Sequence, residues 1–206
     1  MKKYKLTTEI LQFAGRTLHR IKAVKDFDSI KAGEFGGWIE NEKNLSQDDN
    51  AWIYGDAMVF DNAEVYDNAE VYGNAKVYGN ANVFGNAEVY GNANVFGNAE
   101  VYGNANVSDY AEVSDYAKVY GNAAIKGDAK VHDAVDYIVF KNFWSSGRYF
   151  TWTSSNNKWS VGCFYGTGEE LIKKAYADSE KSGREYERVV RYVESILADE
   201  KKEKSN

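Results

Sequence analysis

Thirteen consecutive six-residue units, running without an insertion from residue 53 to residue 130, constrain this chain more than any other feature. The first is Ile53, Tyr54, Gly55, Asp56, Ala57, Met58 and the second Val59, Phe60, Asp61, Asn62, Ala63, Glu64; most of the others are variants of Val-Tyr-Gly-Asn-Ala-x. Every unit opens with Ile or Val and has Ala in fifth place. A short fixed period means stacked units, each burying its apolar face against its neighbours. Gly-Asn or Asp-Asn then falls at the bend, where Gly accepts positive φ freely and Asn tolerates the left-handed region.

The pattern of aliphatic, variable, Gly or Asp, Asn, Ala resembles the left-handed hexapeptide β-helix, a parallel coil with three hexads per turn. That resemblance implies an inward first position and a small fifth position that lets the corner close. Thirteen hexads make a little over four turns, and at about 4.8 Å per stacked strand the prism should stand about 20–25 Å tall. Both ends carry unpaired backbone groups and need caps.

Residues eighteen apart lie on one another in such a coil, so the second position of each unit forms columns. One face carries Tyr54, Tyr72 and Tyr90, followed by Ser108 and Lys126; the next Phe60, Tyr78 and Phe96, followed by Ser114 and His132; the third Tyr66, Phe84, Tyr102 and Tyr120. With the first position inward, these are three outward aromatic ladders. They are read both as stabilising stacks and as candidate contact surfaces. In the units opening at Val107 and Val113 the ring moves to the fourth position, as Tyr110 and Tyr116, which leaves a smoother patch where something else can pack.

Residues 53–136 hold thirteen acids against four lysines, a net of −9, within a chain of net charge −6. An acidic rod could present carboxylates where a DNA-binding protein expects phosphates. Lysines and asparagines interrupt each acidic column, so solubility is the expected role of the charge, and direct nucleic-acid binding is not expected. No apolar run is long enough to span a membrane. The single Cys163 fits a reducing cytosol and is read as a buried small residue; a cytoplasmic location is expected.

The flanks read as caps. Residues 1–50 form an N-terminal β cap, with a hairpin of strands at 4–13 and 17–27 around Ala14, Gly15 and Arg16. Gly33, Gly36 and Gly37 follow, and the six-residue spacing begins faintly at Ile39 and Leu45. Residues 51–135 are the coil, 136–198 a small α+β module and 199–206 a charged tail. The module should have strands at 137–143, 149–153 and 159–164 and two helices opened by capping boxes, Thr167 with Glu170 and Ser182 with Glu185. It holds the densest ligand-like chemistry, namely Trp144, Arg148, Tyr149, Trp152, Lys158 and Trp159. Rings beside cations suit a nucleobase and its phosphate, or an acidic peptide. The expected class is therefore mainly β.

The hexapeptide family includes many acyltransferases, whose chemistry relies on a histidine and commonly on a loop extruded from the coil of a trimer. This coil is unbroken and the chain has two histidines, His19 and His132. His132 is read as solvated or capping. The expectation is no enzyme, no cofactor and no metal site. The whole layout is also similar to hexapeptide-repeat proteins of bacteriophages and prophages of gut bacteria. The likeness is carried by residues 4–9, by Gly36, Gly37, Trp38, Ile39 and Glu40 with Asn44, Leu45 and Ser46, by the near-identical units, and by Gly162, Cys163, Phe164, Gly166, Thr167, Glu169 and Glu170. It implies a non-catalytic protein that inhibits or sequesters a host component, an antiphage-defence protein being one such target, through the rod or the C-terminal module. The alternatives are a nucleotide-signal sponge using the aromatic-basic module, a structural or scaffold trimer, and a hexapeptide-type acyltransferase. A homo-oligomer, a trimer by preference, is the expected assembly.

Overall fold

The computed structural model describes residues 2–203. The chain divides between Tyr137 and Ile138 into two compact units. The first is mainly β. After β1 (Tyr4–Phe13), β2 (Arg16–Ala23) and β3 (Phe35–Ile39), two-residue strands recur once per hexad from Trp52–Ile53 to Lys130–Val131. They stack as three parallel sheets: an eight-stranded sheet that β1, β2 and β3 extend, a five-stranded sheet and a four-stranded sheet. This is a β-solenoid of about five turns, one of them supplied ahead of the thirteen hexads by β3 and an isolated Leu45–Val65 bridge.

Register explains the construction. Val71 pairs with Val89 and Val89 with Val107, each eighteen residues on. Ile39 instead pairs with Val59 and Leu45 with Val65, a step of twenty, because the stretch from Leu45 to Ile53 is two residues longer than a hexad. Each first-position Val or Ile and each fifth-position Ala is fully buried, so the prism interior is one continuous stack of small apolar side chains. Backbone amides donate up the coil, as in Tyr72 N to Val89 O at 3.0 Å and Asn74 N to Gly91 O at 2.7 Å. Every buried side-chain polar atom among the described residues has a partner.

The bends differ in one respect from the sequence reading. Positive φ is carried by the third position alone, as Gly in nine of the thirteen hexads, such as Gly73 (φ 71°), and as Asp in the other four, at Asp61 (φ 60°), Asp67, Asp109 and Asp115. Asn in fourth place stays out of that region and bonds side chain to side chain. Asn62 Nδ2 donates to Asn80 Oδ1 at 3.1 Å and Asn80 Nδ2 to Asn98 Oδ1 at 3.0 Å, with a second ladder through Asn50, Asn68, Asn86 and Asn104. The Asp residues reach up a turn instead: Gly79 N donates to Asp61 Oδ2 and Gly127 N to Asp109 Oδ2.

At the N-terminal end, the hairpin turns on Ala14 (φ 49°) and Gly15 (φ 78°), the two positive-φ residues of a tight turn that matches strand twist. β2 ends at Ala23, earlier than its sequence pattern indicated. Tyr4 is fully buried and its hydroxyl donates to Leu45 O at 2.7 Å. Lys3 is also buried; its Nζ donates to Asp49 O at 2.9 Å and Ala51 O at 2.8 Å, and burial holds its pKa below the usual lysine value. Gly36 and Gly37 admit no Cβ: at Gly37 one would lie 2.5 Å from Ile53 Cγ2 and 2.6 Å from Ala57 O.

The second unit has a four-stranded antiparallel sheet, Tyr137–Lys141, Tyr149–Thr153, Lys158–Val161 and Phe164–Gly166, then α1 (Gly168–Asp178) and α2 (Glu180–Glu203). The expected third strand is split by a turn at Gly162 (φ 58°), which exposes Cys163 rather than burying it. Thr167 and Glu170 form their capping box, whereas α2 starts at Glu180, two residues before the expected box, with Ser182 N donating to Ser179 Oγ. α2 also continues through Asp199 to Glu203, into the stretch read as a charged tail; residues 204–206 lie outside the described part. Tyr186, Val190 and Val193 of α2 close over Phe150, Trp152, Trp159 and Val161 of the sheet.

Candidate functional site

The three ladders stand on the outer faces. Parallel rings lie 5.1 and 5.0 Å apart along Phe60, Tyr78 and Phe96, 4.8 Å apart at Tyr72 and Tyr90, and 4.9, 4.8 and 5.3 Å apart along Tyr66, Phe84, Tyr102 and Tyr120. Tyr54 departs from the pattern, meeting Tyr72 edge-on at 6.4 Å. Stacking leaves most of these rings half-buried, with Phe60 buried outright beneath Phe13 and Arg16. Tyr72 donates to Glu88 and Tyr54 to Glu70. Burial is the main cause that raises the phenol pKa values of Tyr54, to about 12, and of Tyr72 and Tyr78.

The character of the surface changes at the last full turn of the coil. Tyr110 and Tyr116 occupy the two corners that bound the Phe60 face, where Asn92 and Asn98 stand one turn earlier, and they are 69% and 78% exposed. Tyr120, on the adjoining face, is 52% exposed. Between the two corners the second position is no longer a ring. Ser114 is buried, and above it His132 folds down so that its Nδ1 shares a 2.7 Å hydrogen bond with Ser114 Oγ, the direction set by the ring tautomer. Asp115 Oδ2 lies 3.3 Å from the same nitrogen. His132 is half-exposed, its backbone N–H donates to Asp136 Oδ2, and Glu112 pairs with Lys130 alongside. The result is a ring-free polar shelf flanked by two tyrosines, with one imidazole held at Nδ1. Eighteen-residue arithmetic places Ser114 beneath His132 from sequence, but the Asp115 contact depends on the fold of the corner.

The six C-terminal candidates do not form one surface. Trp152 and Trp159 are core residues, 3% and 2% exposed, because the sheet face they occupy is covered by α1 and α2. Trp152 Nε1 is also satisfied internally, by Asn157 Oδ1 at 2.9 Å. Trp144, 63% exposed, borders an open groove with Phe140, Arg188 and Tyr192. Arg148 lies by Phe164 and Lys174 instead, Tyr149 faces the Lys141 ammonium at 5.1 Å, and Lys158 is half-buried. Among the described residues no three His, Cys, Asp or Glu side chains gather as a metal site, and no helix is long and apolar enough to cross a membrane.

No protein-family model matches the chain. Among curated proteins, the chain is similar to the uncharacterized acetyltransferase YdcK of Escherichia coli (strain K12), 39% identical over 62 residues. The match covers 26% of this chain and 19% of that protein. It corrects the expectation that the chain is not an enzyme, since a protein described as an acetyltransferase shares this much of its sequence. What stands beyond that is the hexapeptide-like β-helix itself.

Proposed function

We propose that the protein works through the tyrosine-flanked shelf at the last turn of its coil, and that this surface recognises a protein partner. The observation that carries the reading is the exposure of Tyr110 and Tyr116 at corners where the preceding turns carry hydrogen-bonded Asn, at Asn74 and Asn92 and at Asn62, Asn80 and Asn98. Tyrosine gives large, stiff, amphipathic contact area at low entropy cost and is enriched among residues that dominate binding energy. A rigid coil presents such rings without reorganisation, which lowers the cost of association. The test replaces both with Asn, which restores the corner residue used elsewhere. Y110N/Y116N should keep the fold by circular dichroism and lose partner capture and any self-association measured by light scattering. An unchanged partner set and unchanged oligomeric state would refute the reading.

A second reading, acyl transfer, is favoured by the His132 arrangement together with the similar protein described as an acetyltransferase. Held at Nδ1 by Ser114 and Asp115, His132 could accept at Nε2 the proton of an acceptor hydroxyl or amine. That acceptor oxygen or nitrogen would attack a thioester carbonyl, the C–S bond would break, and the departing thiolate would take up a proton. Thiol release from acetyl-coenzyme A with amine and alcohol acceptors, lost in H132N, supports it. No acceptor-dependent release above the H132N background refutes it. The two readings are compatible, since both use one shelf.

A further inference from the structure

Lysines immediately before a buried valine follow a rule in this coil. Lys118 stands over Glu100 and Lys130 over Glu112, eighteen residues earlier, at 2.9 and 3.2 Å. Lys76 breaks it, because its column places Met58 on one side and Asn94 on the other. Among the described residues its Nζ has no ion pair or hydrogen bond, and it lies 6.0 Å from the centre of the Phe13 ring. A half-buried lysine whose column offers it no acid is thus the exception among the three in an acidic rod.

Around Lys76 the hairpin tip and the start of the Phe60 ladder form an open groove of 420 Å³, lined also by Phe13, Ala14, Arg16, Phe60, Tyr78 and Asn94 and by one carboxylate, Asp61, which is held by Arg16. That volume falls in the range of small-molecule sites, about 300–1,000 Å³. Its walls are aromatic: Phe13 meets Phe60 edge-on at 5.7 Å, and Phe60 and Tyr78 are parallel at 5.1 Å. The other cation, Arg16, is already neutralised by Asp61 and Glu40 and lies over Phe60 at 5.3 Å. Glu112, the nearest further acid along the Lys76 column, is paired with Lys130. Aromatic walls with one uncommitted ammonium and a neighbouring amide are complementary to a ring that carries an anion.

We infer that this groove is a binding site for a small planar aromatic anion, its ring against Phe13 and the edge of Tyr78 and its carboxylate or phosphate on Lys76 Nζ, with Asn94 as a second donor. It is independent of the shelf at the far end of the coil. The test is titration calorimetry with saturation-transfer NMR on the full chain, using adenosine 5′-monophosphate, adenosine and indole-3-acetate as probes. One of the two anions should bind saturably, and which one does so separates a phosphate source from a carboxylate source. Adenosine should bind about tenfold more weakly than a binding nucleotide, and K76M should lose about tenfold toward whichever anion binds while K76R keeps most of the affinity. K76M preserves the stem, and its melting curve reports whether the fold is intact. F13A, at the hairpin tip, should also weaken binding. Failure of both anions to saturate at millimolar concentration, or equal affinity in the parent and K76M, would overturn the inference.

Discussion

Removing a ring from inside a ladder should be more damaging than removing one from its end, by an amount that the stacking geometry sets. Tyr102 lies parallel to Phe84 at 4.8 Å and to Tyr120 at 5.3 Å, whereas Tyr120 has the Tyr102 contact alone among the ring contacts and is half-exposed. An aromatic pair contributes about 0.5–1.5 kcal/mol beyond area burial. Beyond the burial each ring loses, Tyr102→Ser should therefore destabilise by about 2 kcal/mol and Tyr120→Ser by about 1 kcal/mol. Serine is the right replacement because Ser108 and Ser114 already occupy this position in the same coil, so the backbone accepts it. Urea unfolding of both single variants and the double variant gives the coupling between the rings, expected at about 0.5–1.5 kcal/mol. Equal losses from the two single variants, with a coupling under about 0.3 kcal/mol, would refute the claim that ring-on-ring contact stabilises the rod.

Three further outcomes follow from particular contacts. Gly37→Ala should destabilise by about 1–3 kcal/mol or more, since its methyl meets Ala57 O and Ile53 at 2.5–2.6 Å, while Gly121→Asp should change stability little because Asp109 and Asp115 adopt the same backbone; thermal melts compare them. Lys3→Met should lower the urea-derived stability by about 2–4 kcal/mol, because it leaves the Asp49 and Ala51 carbonyls without their donor. Stability should also fall in alkali. Burial is the largest cause that raises the Tyr54 and Tyr137 phenols to about 12 and holds those of Tyr4, Tyr66, Tyr72 and Tyr78 above 10, the value in the unfolded chain. Below pH 10 both states keep these protons and the contribution is full; as pH rises from 10 to about 12 the unfolded chain ionises first and the contribution is lost. Urea midpoints across that range, followed with tyrosinate absorbance, measure it.

The coil was legible because a buried Val or Ile and a buried Ala recur at fixed places through thirteen successive units. The same arithmetic gave the ring columns, and stacked rings are found in all three. Corner chemistry was less legible: positive φ belongs to the third residue and the side-chain amide ladder to the fourth, a division that composition does not reveal. In the second unit the ring-and-cation cluster of 144–159 looked like a site because sequence cannot say which strand face the helices will cover, and they cover Trp152 and Trp159. Lys76 carries a signal that columns alone could have exposed, as a lysine without an acid eighteen residues away on either side.

The sequence repeats every six residues, but the contacts repeat every eighteen, and the difference limits how such a chain can lengthen. A duplication of three hexads adds one full turn and returns every later side chain to its own column. A duplication of one hexad placed between Glu100 and Lys118 keeps the buried Val and Ala stack yet turns everything after it by one face, so that Lys118 stands over Asn106 instead of Glu100. The interior tolerates either change; the outside keeps its pairs only under the first. Growth in threes is thus the step that preserves a surface, and a single inserted hexad is a route to a new one.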